Sequence, residues 1–290
     1  MLPKTINIER AGRCCPQLAG DEAYRRFCRP DLSQHLSPQQ VVLQDRARVH
    51  LAKARWFTVP SVVGDIQAYE YAPAGQSNGR DVLLVHGWTS EAAFMSAFVE
   101  PLRQKGFRVV AFDFPAHGFS SGRQANLIDC AQALYAVAKA AGPFDFVISH
   151  SLGGVVVLMV ADGAAPIPEA VPFNRFVLIA TPNKLSDFTR DFARHLNLSR
   201  AGRKAFERHL ERIGHRTLES VTSARYLRSV GQPALVVHAR DDAQVPFSDA
   251  EAIVAACPEA QFLPVDQFGH AGVIFAPPVV RAVREYLLEG

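Results

Sequence analysis

The residues best arranged to do chemistry lie in Val147-Ile148-Ser149-His150-Ser151-Leu152-Gly153-Gly154, where an apolar run meets a small-x-Ser-x-Gly turn and then a helical stretch, Val155 to Ala161. A strand that turns sharply into a helix needs small residues two before and two after the exposed position, here Ser149 and Gly153. The residue so presented is Ser151. A serine hydroxyl is a weak nucleophile until a base takes its proton, and the base needs a carboxylate to orient it. His270 is the candidate base: it lies in Gln267-Phe268-Gly269-His270-Ala271-Gly272, after the last strand signal, and its small neighbours leave the imidazole room to swing. The candidate carboxylates are Asp241 and Asp242, which directly follow the apolar run Ala234 to His238; as adjacent residues they are not separable by pattern.

Together these loops resemble the serine-hydrolase branch of the α/β-hydrolase superfamily, in its capped, esterase- and lipase-like form. The elbow departs from the family only in carrying Ser149 where a glycine is usual. In the family's acid loop an Asp stands three residues before the Val of a Val-Pro pair, which implies Asp242 as the acid and leaves Asp241 as a turn or capping group. His270 matches the Gly-His loop, and the order Ser, Asp, His along the chain is the family's. Leu83-Leu84-Val85-His86-Gly87-Trp88 resembles the oxyanion loop, so the backbone N–H groups of Trp88 and Leu152 are the expected oxyanion donors, with His86 structural. Asp113-Phe114-Pro115-Ala116-His117-Gly118-Phe119-Ser120 resembles a further family turn, with Ala116 at a common glycine position, and reads as a hydrogen-bonded turn beside the site. Serine at position 151 excludes the branches that use an Asp nucleophile.

The resemblance runs from about Trp56 to the C terminus. It implies a mostly parallel eight-stranded sheet with helices on both faces, a small helical cap, and acyl transfer through an acyl-enzyme on Ser151, without metal or organic cofactor. The leading expectation is hydrolysis of the carboxylic ester of a small or medium acyl substrate. Thioester, lactone or carbon–carbon bond cleavage would use the same residues, and a ligand-binding homologue without turnover is the reading from another class.

The elements that must position these loops are legible as apolar runs. Trp56–Val63 and Ile66–Tyr71 suit an antiparallel hairpin turning at Gly64-Asp65. Val82–Val85, Phe107–Phe112, Phe144–Ile148, Phe176–Ala180, Ala234–His238 and Phe262–Val265 then alternate with helical stretches. Strands apolar on successive residues are buried on both faces, which is the mark of a parallel sheet covered by helices. The domain reading is an N-terminal arm and helix over 1–55, a core over 56–181 and 231–290, and a cap over 182–230. In that cap Arg and Lys outnumber Asp and Glu, which reads as solvated helical charge or, alternatively, as a preference for an anionic substrate. Residues 1–36 show no clear period. Ser37-Pro38-Gln39-Gln40 carries the signals of a helix start, and Leu43, Ala47, Leu51 and Ala54 recur on one face of that helix, with Arg46, Arg48 and Lys53 on its solvated side.

With 290 residues, 48% of them hydrophobic, the chain can bury a sizeable core, and a formal charge of +3 without a Lys/Arg tract implies no nucleic-acid partner. It has no apolar stretch long enough to span a bilayer and no signal-peptide core at its start, so a cytoplasmic protein acting on a small molecule is expected. Five scattered cysteines lack metal-site spacing, and oligomeric state is not readable.

Overall fold

The computed structural model describes residues 15–30, 45 and 47–289. Eight strands form one sheet in the order β1-β2-β4-β3-β5-β6-β7-β8. They are β1 (Arg55–Ser61), β2 (Gly64–Tyr71), β3 (Asp81–Val85), β4 (Arg108–Phe112), β5 (Phe146–His150), β6 (Arg175–Ile179), β7 (Ala234–Ala239) and β8 (Gln261–Val265). β2 pairs antiparallel with both β1 and β4, and every other pairing is parallel.

The sheet is buried on both faces because its central strands are apolar along most of their length. Leu83 and Val85 of β3, Val147 of β5 and Phe176 and Leu178 of β6 enter one core cluster. Val82, Leu84, Phe146, Ile148, Val177 and Ile179, one residue out of phase, enter a second. This is the two-residue period of a strand read on two apolar faces. The first cluster is closed by α3 (Leu127–Ala141) and α4 (Leu152–Asp162), the second by the C-terminal helix Pro277–Leu288 and a 3-10 turn at Ala92–Phe98 leading into α2 (Val99–Arg103). β8, the last strand, is only half-buried and carries Pro264, which an edge strand tolerates.

Three particulars differ from the sequence reading. The hairpin turns at Val62-Val63, since Ser61 already pairs with Gly64, whose φ of +108° lets the chain re-enter the ladder there. Phe144 precedes β5 and packs into the first cluster instead of extending the strand. Residues Pro16–Phe27, which showed no period, form a helix, α1. Its buried face is Ala19, Gly20, Ala23 and Phe27. Small residues at fourfold spacing make a helix face that hydropathy does not mark.

That face lies on α6 (Arg200–Gly214), one of the helices joining β6 to β7, with α5 (Leu185–His195) and α7 (Ser223–Val230). The approach is so close that a Cβ on Gly20 would stand 2.5 Å from the Ala205 Cβ and 2.7 Å from the Phe206 backbone nitrogen. Gly20→Val is therefore expected to push α1 away and lower stability by about 1–3 kcal/mol, read as a drop in thermal midpoint; an unchanged midpoint would contradict this packing. Phe27, at the end of α1, stacks on Trp88 at 6.1 Å and meets Phe192 and Phe206 edge-on at 5.0 and 5.4 Å.

The helix start expected at Ser37 and its stripe residue Leu43 lie outside the described residues, as do Arg46 and Cys14. Farther along that helix Ala47 and Leu51 are buried, and Arg48 is not simply solvated: its guanidinium holds the buried Glu91 through two 2.7 Å hydrogen bonds. Among the described residues, Cys28, Cys130 and Cys257 are free thiols. No described helix is long and apolar enough to cross a membrane.

Candidate functional site

The parallel strands all deliver their carboxyl ends to one edge of the sheet, where open α/β sheets gather their ligands. Ser151 follows β5 and caps α4 with φ 52° and ψ −129°, a left-handed conformation that costs a non-glycine residue about 1–3 kcal/mol. The bend is held by the Ser151 N–H, which donates to the Ile179 carbonyl at 2.9 Å. Its neighbours must be small because the ends of β3 and β6 crowd the turn: a Cβ on Gly153 would overlap the carbonyl oxygen of His86, just past β3, and one on Gly154 would overlap the side chain of Thr181, just past β6. Ser149 fits where glycine was expected because its hydroxyl donates to the Val177 carbonyl at 3.1 Å inside the sheet.

The structure brings together the three side chains singled out from sequence. His270 Nε2 lies 3.0 Å from Ser151 Oγ, and His270 Nδ1 lies 2.8 Å from Asp242 Oδ2. Since a carboxylate only accepts, a neutral His270 carries its hydrogen on Nδ1 and leaves Nε2 free to accept from the serine hydroxyl. Asp242 is itself fixed by the turn after β7: its Oδ1 accepts from the Gln244 and Val245 amides at 2.8 and 2.9 Å. Burial alone would push this carboxyl up, but its bonds to His270 and to these amides outweigh burial and hold it below the usual carboxylate range. Asp241 is exposed, and its Oδ2 accepts from the Gly269 N–H at 3.1 Å. The two adjacent carboxylates thus have different partners, the imidazole for one and the loop before it for the other.

Leu152 follows Ser151 in the chain, and Trp88 follows Gly87, which lies against it. Leu152 opens α4, where backbone N–H groups have no intrahelical acceptor. Gly87 lies against the elbow, so that a Cβ there would stand 3.0 Å from the Ser151 Cβ. His86 locks this loop: its Nδ1 donates to the Gly87 carbonyl at 2.7 Å, while Nε2 accepts from the Phe114 N–H at 2.9 Å. The Gly87 carbonyl and the Trp88 N–H belong to one planar trans peptide, so fixing the carbonyl fixes the N–H in the opposite direction. The Trp88 ring packs edge-on to His117 at 4.9 Å and is partly buried.

Asp113 points into its own turn: Oδ1 accepts from Ala92 N–H at 2.8 Å, and Oδ2 from the Tyr69 hydroxyl at 2.6 Å and the Phe119 N–H at 2.9 Å. His117 bonds the Pro115 carbonyl and the Thr89 amide. Both serve the turn. Two histidines in the site had no signal beyond their place in the motifs. His238 donates from Nε2 to the Val245 carbonyl at 2.9 Å and so braces the Asp242 turn, and His150 reaches the His270 carbonyl at 2.9 Å. Among the described residues no group of three or more His, Cys, Asp and Glu side chains is gathered to hold a metal ion.

Burial pushes three of these imidazoles down, His86 to about 4 and His117 and His150 to about 3. Their ordinary value is about 6.5, so at acidic pH the unfolded chain binds protons that the native state refuses, and stability falls as pH drops from about 6.5 toward 4. Each group steepens the fall by up to about 1.4 kcal/mol per pH unit; Asp113, whose carboxyl burial raises, works against it. The expected result is a thermal midpoint that drops steadily between pH 7 and 4.5, and a flat profile over that range would contradict it.

The fold and this geometry define a class. A model of the alpha/beta hydrolase family matches residues 82–284, and the chain belongs to that family. It is 27% identical over 240 residues, 69% of this chain and 92% of the relative, to a pimeloyl-[acyl-carrier protein] methyl ester esterase of Nitrosomonas europaea. Among solved structures it is similar to Est1E of Butyrivibrio proteoclasticus with bound ferulic acid, at TM-score 0.65 and 18% identity over 80% of this chain and 98% of that one. A thermophilic esterase from Thermogutta terrifontis matches at TM-score 0.59 and 21% identity, over 81% and 99% of the two chains. These structural likenesses show the fold.

Proposed function

We propose that the protein is a serine hydrolase that cleaves the carboxylic ester of a small or medium acyl substrate through an acyl-enzyme on Ser151. The observation that carries this reading is the unbroken chain of hydrogen bonds from Ser151 Oγ to His270 to Asp242, at 3.0 and 2.8 Å. In the first step Ser151 Oγ attacks the ester carbonyl carbon as its proton passes to His270 Nε2. The imidazolium so formed is stabilised by Asp242, and the carbonyl oxygen, now an anion, receives the backbone N–H groups of Trp88 and Leu152. Collapse breaks the bond to the alcohol, which leaves with the proton from His270; water then repeats the sequence and releases the acid. Ser151, His270, Asp242 and the backbone amides supply every proton and charge contact, so the residues call for no cofactor.

The esterase named for the Nitrosomonas relative supports an ester over other acyl compounds for this chain. We propose further that residues 182–230 form a cap over the core of 56–181 and 231–290. Phe27 supports this, since it ties Trp88 to Phe188 and Phe192 of α5. The test is a series of p-nitrophenyl acyl esters of increasing chain length beside matched thioesters and lactones. Turnover highest on short or medium esters is expected; turnover of thioesters or lactones with esters left intact would move the assignment to those bonds.

A further inference from the structure

His150 stands immediately before the serine, yet its ring belongs to neither core cluster. It is wedged between two loops. On one side its Nε2 lies 2.9 Å from the His270 carbonyl oxygen, and the two rings are tilted together with centroids 4.8 Å apart. On the other side its Nδ1 faces Gly87, 3.2 Å from where a Cβ on that residue would be. A carbonyl only accepts, so Nε2 carries the hydrogen and Nδ1 is a bare lone pair; that buried atom has no hydrogen-bond partner. A buried polar atom left without a partner calls for an explanation, and a ring held by its other nitrogen for a positional reason supplies one.

We propose that His150 is a positioning residue that sets the base loop against the oxyanion loop, by donating from Nε2 to the His270 carbonyl while its ring rests on Gly87. The proposal rests on the reading of Ser151 and His270 as nucleophile and base. The bonds made by the His270 ring, to Asp242 and Ser151, orient the imidazole but leave its backbone to the loop. That backbone opens a single helical turn, Gly269–Gly272, entered through Gln267 and Gly269 with positive φ, 66° and 56°. Among the described residues, two side chains hold that backbone from outside the turn. Asp241 accepts the Gly269 N–H before the histidine, and His150 holds the carbonyl after it. Asp241 is exposed and its bond competes with water, whereas His150 is 5% exposed and its bond does not. Losing it frees His270 to shift by a fraction of an ångström from the serine, and a misplacement of about 1 Å is enough to cost about a hundredfold in rate.

Three variants separate positioning from space-filling. His150→Gln keeps a donor at the reach of Nε2, His150→Phe keeps the ring volume without the donor, and His150→Asn carries an amide too short to reach the His270 carbonyl. With a p-nitrophenyl ester, His150→Phe is expected to lower kcat by about ten- to a hundredfold with KM nearly unchanged. His150→Gln should recover most of that loss, and the rate of Ser151 labelling by a fluorophosphonate should follow kcat. If His150→Phe does not fold, the contrast of His150→Gln with His150→Asn decides, with the Asn variant expected to be the slow one. A His150→Phe enzyme with native kcat, or Gln and Phe variants (or Gln and Asn variants) equally slow, would overturn the proposal. A native protein whose Ser151 does not react at all would instead overturn the reading of the site.

Discussion

Ser151→Ala is expected to lower kcat by about a millionfold, and His270→Ala to do nearly the same, while the double variant falls no further than either single one. The reason lies in their hydrogen bond. Without the hydroxyl there is nothing to acylate, and without the imidazole the hydroxyl keeps its proton; each loss removes the whole covalent route. What survives is the roughly 10³-fold or greater advantage over water supplied by the oxyanion donors and binding. The fold should tolerate Ser151→Ala with little loss, since alanine keeps the Cβ and with it the same strain at φ 52°, and the bond lost is the one from Oγ to His270. Steady-state kinetics with thermal midpoints checks both points. Additive losses in the double variant would show that the two side chains do not act as a unit.

The second large effect separates two neighbouring carboxylates. Asp242→Asn is expected to cost about 10⁴ in kcat, and Asp241→Asn less than about tenfold. The amides of Gln244 and Val245 both need an acceptor at the Oδ1 position. An asparagine at 242 therefore keeps its oxygen there and turns its NH₂ toward His270 Nδ1. That amide donates, so Nδ1 must become the lone pair and Nε2 must carry the hydrogen, which leaves the imidazole unable to accept the serine proton. At position 241 the asparagine oxygen still accepts the Gly269 N–H, and little changes. The pair of kcat values decides the register: a greater loss in Asp241→Asn would assign the acid to the wrong residue.

These effects trace back to features the sequence carried unequally. The elbow was legible because its constraints are local: the sharp turn and the strand ends crowding it dictate small residues at 149 and 153. The central strands were legible because both faces are apolar, so Val82–Val85 and Phe176–Ala180 stand out as unbroken runs. The helix Pro16–Phe27 was not, because it docks through Ala19, Gly20 and Ala23, residues chosen for smallness rather than hydropathy. Its signal was the proline at its first position, ambiguous amid an irregular stretch. His150 and His238 were missed for another reason. Each acts on a backbone carbonyl, of His270 and of Val245, and no pattern of side chains along the chain announces a backbone partner, whether 120 residues away for His150 or 7 for His238.

The most direct measurement of the central claim is the intact mass of the protein after reaction with a small fluorophosphonate, followed by peptide mapping of the adduct. One adduct per chain, on Ser151, lost in His270→Ala, is the predicted result. A protein that remains unmodified by probes of several sizes, or that is modified elsewhere with Ser151 untouched, would contradict it.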